Sequence, residues 1–230
     1  MFHLFYLLQA DTATQIAAQT TASEKGVSLF ELLQLGGWIM IPLAALFLMT
    51  IYVFFERYLS IRKASNIEGN FMNIIRDHIV NGNVTAARSF AKNTNNPVAR
   101  IIDKGIQRIG KPIENIERSM ENVGKLEIYG LERNLSILSL SAGIAPLLGF
   151  LGTIIGMFQL FYSLATGGDF TIQTMANGIY TKVITSATGL VVGLLAFIAY
   201  NFLTTQVDKT AYKMEVASSE FLDILQEPTR

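Results

Sequence analysis

The sequence predicts an all-α integral membrane protein: three transmembrane helices, with long helices extending into a cytoplasmic helical domain. Three observations carry this. Residues 32–55, 134–168 and 183–207 hold no charge. Charged residues make up 16% of the chain, against about 25% in soluble domains. Of the 18 Lys and Arg residues, 13 lie between Glu56 and Arg133, with 9 of the 18 Asp and Glu, so the net charge of zero hides an asymmetry. The absence of cysteine excludes disulfides and thiolate metal sites.

Residues 1–35 are expected to form an N-terminal segment outside the membrane. Met1–Leu8 is apolar but too short to span, and no basic residue precedes it; cleavage of this stretch as a signal stays open. Thr12–Lys25 reads as an exposed polar segment or short surface helix. Residues 36–55 are the first span, about 20 apolar residues that pass Pro42 without a polar interruption. Trp38 and Tyr58 sit near its ends, where amphipathic rings are favoured, and Arg57, Arg62 and Lys63 follow.

Residues 56–135 form the helical domain. Apolar residues recur at helical spacing, as in Phe71, Ile74, Ile75 and Ile79, then Ile101, Ile102, Ile106 and Ile109. Asn81-Gly82-Asn83, Asn93–Pro97 and Gly110-Lys111-Pro112 punctuate the helices. Pro112 suits a helix start, with Glu114 and Glu117 near the positive end. That helix is expected to run through Leu126 and Leu131 into the membrane. The carboxylates here are interleaved with basic residues, the pattern of a solvated helix face.

Residues 136–166 are the second span. The 35 uncharged residues around it would make a helix of about 50 Å, longer than the roughly 30 Å hydrocarbon core, so the helix either projects or kinks at Pro146. Residues 167–173 form a turn, 174–203 the third span, and 204–230 a charged tail that begins as helix. Basic residues crowd the membrane ends of the 56–135 loop, which places it in the cytoplasm, the N-terminus outside and the C-terminus inside.

Small and hydroxyl residues mark the second and third spans. In the second, Ala142, Ala145, Gly149, Thr153 and Gly156 share a narrow stripe, and Gly152 and Gly156 form a GxxxG pair. In the third, Gly178, Thr181, Thr185, Thr188, Val192 and Ala199 share one face. A second stripe, about 80 to 100° away, holds Lys182, Ser186, Gly189 and Gly193. One face is expected to pack and the other to line water. The glycines and Pro146 are read as helix packing. The ion-path candidates are Thr153, Thr181, Thr185, Thr188, Ser186 and Lys182. Each hydroxyl has two readings, a bond to the carbonyl one turn earlier or a place on a water chain. Lys182 either snorkels to the outer interface or sits in a water-filled vestibule. The spans contain no Asp, Glu or His, so a proton relay needs a titrating group from another subunit.

Ala145-Pro-Leu-Leu-Gly-Phe-Leu-Gly-Thr-Ile-Ile-Gly-Met157, with Gly178-Ile-Tyr-Thr-Lys-Val-Ile-Thr-Ser-Ala-Thr-Gly-Leu190 and Ala199-Tyr-Asn201, resembles the proton-channel family that includes ExbB, TolQ and MotA. Leu32–Pro42 and Phe55-Glu-Arg57 are similar to the first-span region of ExbB-type members. Three spans with one large loop place the resemblance nearest ExbB and TolQ. It implies a bacterial inner-membrane homo-oligomer, a pentamer in ExbB, with the N-terminus periplasmic. It implies a single-span ExbD/TolR-type partner whose intramembrane Asp carries the proton, and a TonB/TolA-type protein that is energised in turn. Thr153 and Ser186 match hydroxyl positions of the family's pore lining. The chain departs from many members at Thr181 and Lys182, where they carry a glutamate and a small residue. A cation near the outer mouth raises the barrier to H⁺ unless it is neutral or turned away.

The expected function is therefore a proton-driven motor subunit, with no cofactor, no metal and no nucleic acid. The rival readings are a TolQ-like envelope-maintenance motor and a membrane scaffold that conducts no ion. No nucleophile–base pair or phosphate loop supports an enzyme.

Overall fold

A computed structural model describes residues 37–67, 69–167 and 171–227; within these the side chains of Thr174, Asn177 and Thr181 are not described. The expectations for residues 1–36, for positions 168–170 of the expected turn and for the last three residues of the tail lie outside the described residues. All regular elements among them are helices, seven in number: α1 (Met40–Ser65), α2 (Phe71–Val80), α3 (Val84–Asn93), α4 (Pro97–Ile106), α5 (Ile113–Glu132), α6 (Leu135–Ala165) and α7 (Ile172–Gln226). Helices α1, α6 and α7 are long and apolar enough to cross a membrane.

Pro42 falls in the first turn of α1, where its missing N–H removes no helical bond. Both α1 and α7 continue past their apolar stretches into the charged domain. At about 1.5 Å per residue, the 55 residues of α7 span about 80 Å. Helix α6 is unbroken through Pro146.

One expectation is corrected. The Pro112 helix does not run into the membrane: α5 stops at Glu132, and Asn134 adopts a left-handed φ of 65° before α6 starts at Leu135. Asparagine tolerates this conformation better than most residues, so the chain turns without Gly or Pro.

The helical domain has its own core. Phe71, Ile75, Ile101, Ile102, Met120 and Phe221 are almost fully buried where α2 to α5 close on the far half of α7. Phe71 stacks on Phe90 at 5.5 Å between ring centroids. Gly105 lets that core close, because a Cβ there would sit 2.5 Å from the Phe221 ring and 2.7 Å from Met120 Sδ. Asn96 joins the domain to the first span. Its Oδ1 accepts from Val98 N at 2.9 Å, capping α4, and its Nδ2 donates to the carbonyls of Ala64 (2.8 Å) and Asn66 (3.1 Å) at the end of α1.

Candidate functional site

Helices α6 and α7 form an antiparallel pair whose backbones meet at Gly149 and Gly189. A Cβ at Gly189 would lie 2.6 Å from the Ala145 carbonyl oxygen and 2.8 Å from Gly149 Cα. A Cβ at Gly149 would lie 3.0 Å from Gly189 Cα and 3.1 Å from the carbonyls of Thr185 and Ser186. Only hydrogen fits on either side, which is how small residues associate helices in lipid. Gly152, Gly156 and Gly193 each receive a side chain instead. Gly152 takes the methyl of Thr185, 2.6 Å from its would-be Cβ, and Gly156 lies under the aliphatic stem of Lys182. Gly193 lies against the Pro146 ring and the Ala142 carbonyl, to which Pro146 has no N–H to donate.

Helix α1 covers one flank of this pair. Ile39, Met40 and Leu43 cluster with Ala145 and Val192, joined by Leu148 and Ile155. Further along, Phe54 and Tyr58 lie beside Phe202, with centroids 6.3 and 6.2 Å apart. Helical spacing puts Thr153 and Met157 on α6, and Lys182 and Ser186 on α7, toward the opposite flank.

This divides the candidate ion-path residues in a way the sequence did not. Thr185, one of the ion-path candidates, is 1% exposed in the α6–α7 seam, against Gly152 and near Ile39. Thr188 turns to the α1 flank and donates to the Ile184 carbonyl at 2.9 Å. The Thr181 side chain lies outside the described residues. The packing face of α7 is thus Thr185, Gly189, Val192, Gly193 and Ala196, drawn from both sequence stripes. Thr153, Ser186 and Lys182 stay partly exposed on the open flank.

The Thr153 hydroxyl donates to the Phe150 carbonyl at 2.6 Å. In this arrangement its proton faces that carbonyl, and its oxygen keeps lone pairs that can accept from a group on the open flank. Lys182 forms no ion pair among the described residues. Toward the charged end the open flank widens into a groove of about 690 Å³, with Ser136, Ser139 and Leu140 on α6, Tyr200 and Thr204 on α7, and Glu132 at its mouth.

Sequence reasoning passed over two polar groups. Thr50 on α1 is 4% exposed, and its Oγ1 has no hydrogen-bond partner among the described residues. Arg57 is 8% exposed and pairs with Glu56. A buried guanidinium inside a basic cluster could have been flagged only by its phase on α1, which it shares with Thr50 and Ile61.

Comparison with known proteins agrees with this architecture. A protein of Methanothermobacter thermautotrophicus described as an ExbB homolog of biopolymer transport is 27% identical over 190 residues, 82% of this chain and 67% of that protein. The Tol-Pal system protein TolQ of Haemophilus influenzae is 31% identical over 113 residues, 49% of this chain and 50% of its own length. The biopolymer transport protein ExbB of Helicobacter pylori is 33% identical over 86 residues, 37% and 59%. The chain thus spans only about half the length of the TolQ and ExbB proteins it matches. The profile of one family covers residues 93–216, from the helical domain through both helices of the seam. The chain is a membrane protein and belongs to the MotA/TolQ/ExbB proton channel family.

Proposed function

We propose that this chain is an ExbB/TolQ-type subunit of a proton-motive-force-driven motor in the bacterial inner membrane. Several copies, five by the family resemblance, surround an ExbD/TolR-type single-span partner and energise a TonB-dependent transport system. The observation that carries this reading is the open flank of the α6–α7 pair. It presents Thr153, Ser186 and Lys182 on the side away from α1, while Thr185 and Thr188 are taken up by packing.

The chemistry follows from the Thr153 oxygen, which can accept while its own proton is held by the Phe150 carbonyl. None of the spans supplies a carboxylate or histidine, so the proton carrier comes from the partner. A protonated carboxylic acid can donate to the Thr153 oxygen, and an ionised one cannot. An ionised acid meets the hydroxyl only if it rotates off the Phe150 carbonyl, so the two protonation states make different contacts with α6, and that difference couples proton transfer to relative movement of two subunits. Lys182 favours the ionised state of the same acid when the two come close. A TolQ-type role with a TolA-type protein is the near alternative, supported by the TolQ relative.

Thr153→Leu tests the reading. It removes the acceptor and fills the flank while leaving the seam glycines intact. We expect proton flux in reconstituted vesicles and energised uptake in cells to fall at least about tenfold, with the complex still recovered whole. Unchanged flux would exclude Thr153 from the path. A purified complex that holds no partner with an intramembrane acid would favour a scaffold that conducts no ion.

A further inference from the structure

We propose that the cleft between the end of α1 and the middle of α7 binds the headgroup of an anionic phospholipid, in the leaflet that faces the helical domain. The cleft encloses about 820 Å³, and Tyr58, Leu59, Arg62, Lys63, Phe202 and Gln206 are among its lining residues. It holds two cations, and none of its lining residues is a carboxylate. Neither Arg62 nor Lys63 has an ion-pair partner among the described residues, whereas Arg57, one turn earlier, is paired with Glu56.

Depth fits this ligand. The first apolar run ends at Phe55, and Arg62 lies seven residues, about 10 Å, further along the helix. The uncharged run of α7 ends at Val207, four residues beyond Leu203 in the cleft wall. Both helices thus leave the hydrocarbon here. The interfacial layer is about 5–7 Å thick on each side, and Arg and Lys stems reach back into it. Leu59 and Phe202 are exposed beside the cations and offer an apolar wall to an acyl chain.

The floor of the cleft is built without using those cations. The Ala64 and Asn66 carbonyls take the Asn96 amide, and Lys213 Nζ donates to the Ser65 carbonyl at 2.9 Å. These bonds satisfy groups at the negative end of α1 that would otherwise compete for Arg62 and Lys63. A phosphodiester oxygen is the acceptor that remains to be supplied. The inference rests on membrane insertion alone, so it stands or falls separately from the motor reading.

The test uses the full-length protein, delipidated in mild detergent. Short-chain phosphatidylglycerol, phosphatidylcholine of the same chain length and inorganic phosphate are each titrated, with bound lipid counted by native mass spectrometry and thermal unfolding followed in parallel. We expect phosphatidylglycerol to bind and raise the unfolding temperature, with the other two much weaker. Arg62→Gln with Lys63→Gln should lower the affinity about thirtyfold, and Lys63→Gln alone about fivefold. The pair Lys111→Gln with Arg118→Gln, the same loss of charge on exposed sites of α5 and the turn before it, should leave it unchanged. Equal binding of phosphatidylcholine, equal protection by free phosphate, or an equal loss in the Lys111 and Arg118 variant would each overturn the proposal. If the double variant loses helix content, the single variant decides the question.

Discussion

The helical domain and the membrane seam are both all-helical, yet they are packed by opposite means. In the domain, large side chains such as Ile75, Ile102 and Phe221 fill the space between helices. Each removes apolar area from water, at roughly 25 cal/mol per Å². In the seam, Gly149 and Gly189 bring backbone against backbone. Lipid tails are as apolar as leucine, so burying leucine in the membrane gains little, and close approach has to supply the association. The lesson is that a glycine stripe in a span takes the packing role that an isoleucine stripe takes in water. The two regions meet at Asn96 and along α7.

The largest expected effect breaks the seam. Gly189→Ala places a methyl 2.6 Å from the Ala145 carbonyl, a backbone atom that cannot swing aside. We expect a loss of about 3 kcal/mol in detergent unfolding. Gly143→Ala, on α6 with nothing within 4 Å, should be neutral or slightly stabilising and serves as the control. Equal behaviour of the two variants would refute the backbone-contact account.

The second effect acts on the joint. Asn96→Ala removes the α4 cap and the donors to Ala64 and Asn66. We expect a cost of about 2 kcal/mol and faster amide exchange at the α4 N-terminus and the end of α1, with the seam unaffected. Exchange changes centred on α6 instead would show that the regions are not separable.

The smallest effect lies on the domain surface. Glu121 hydrogen-bonds Lys125 at 2.6 Å, one turn on, and this contact holds its carboxyl below the ordinary carboxylate range. A depressed carboxylate stabilises the fold above its unfolded pKa and loses that contribution as pH falls through the folded value. Lys125→Gln should therefore unfold slightly more easily than the parent at neutral pH, and the difference should vanish in acid. A difference that persists in acid would assign the effect to helix propensity.

Much of this was legible in the sequence because charge is expensive in lipid. The three uncharged runs had to be spans, and the domain core followed from the spacing of Phe71, Ile75 and Ile79 or of Ile102 and Ile106. The break between α5 and α6 was not legible, because Arg133-Asn134 carries no Gly or Pro and the left-handed turn depends on where both helices must dock. The candidate site was legible only in part. The sequence by itself determined which residues are small or hydroxylated and which stripes they form, since 3.6 residues per turn fixes their phase. It could not decide which stripe packs. Two stripes about 80 to 100° apart are equivalent on an isolated helix. Only the docking of α1 against Val192 and Ala145, with Gly149 seated on Gly189, turned Thr185 inward and left Thr153 and Ser186 on the open flank. The choice is tertiary because it depends on which neighbour occupies each side, and no local pattern carries that information.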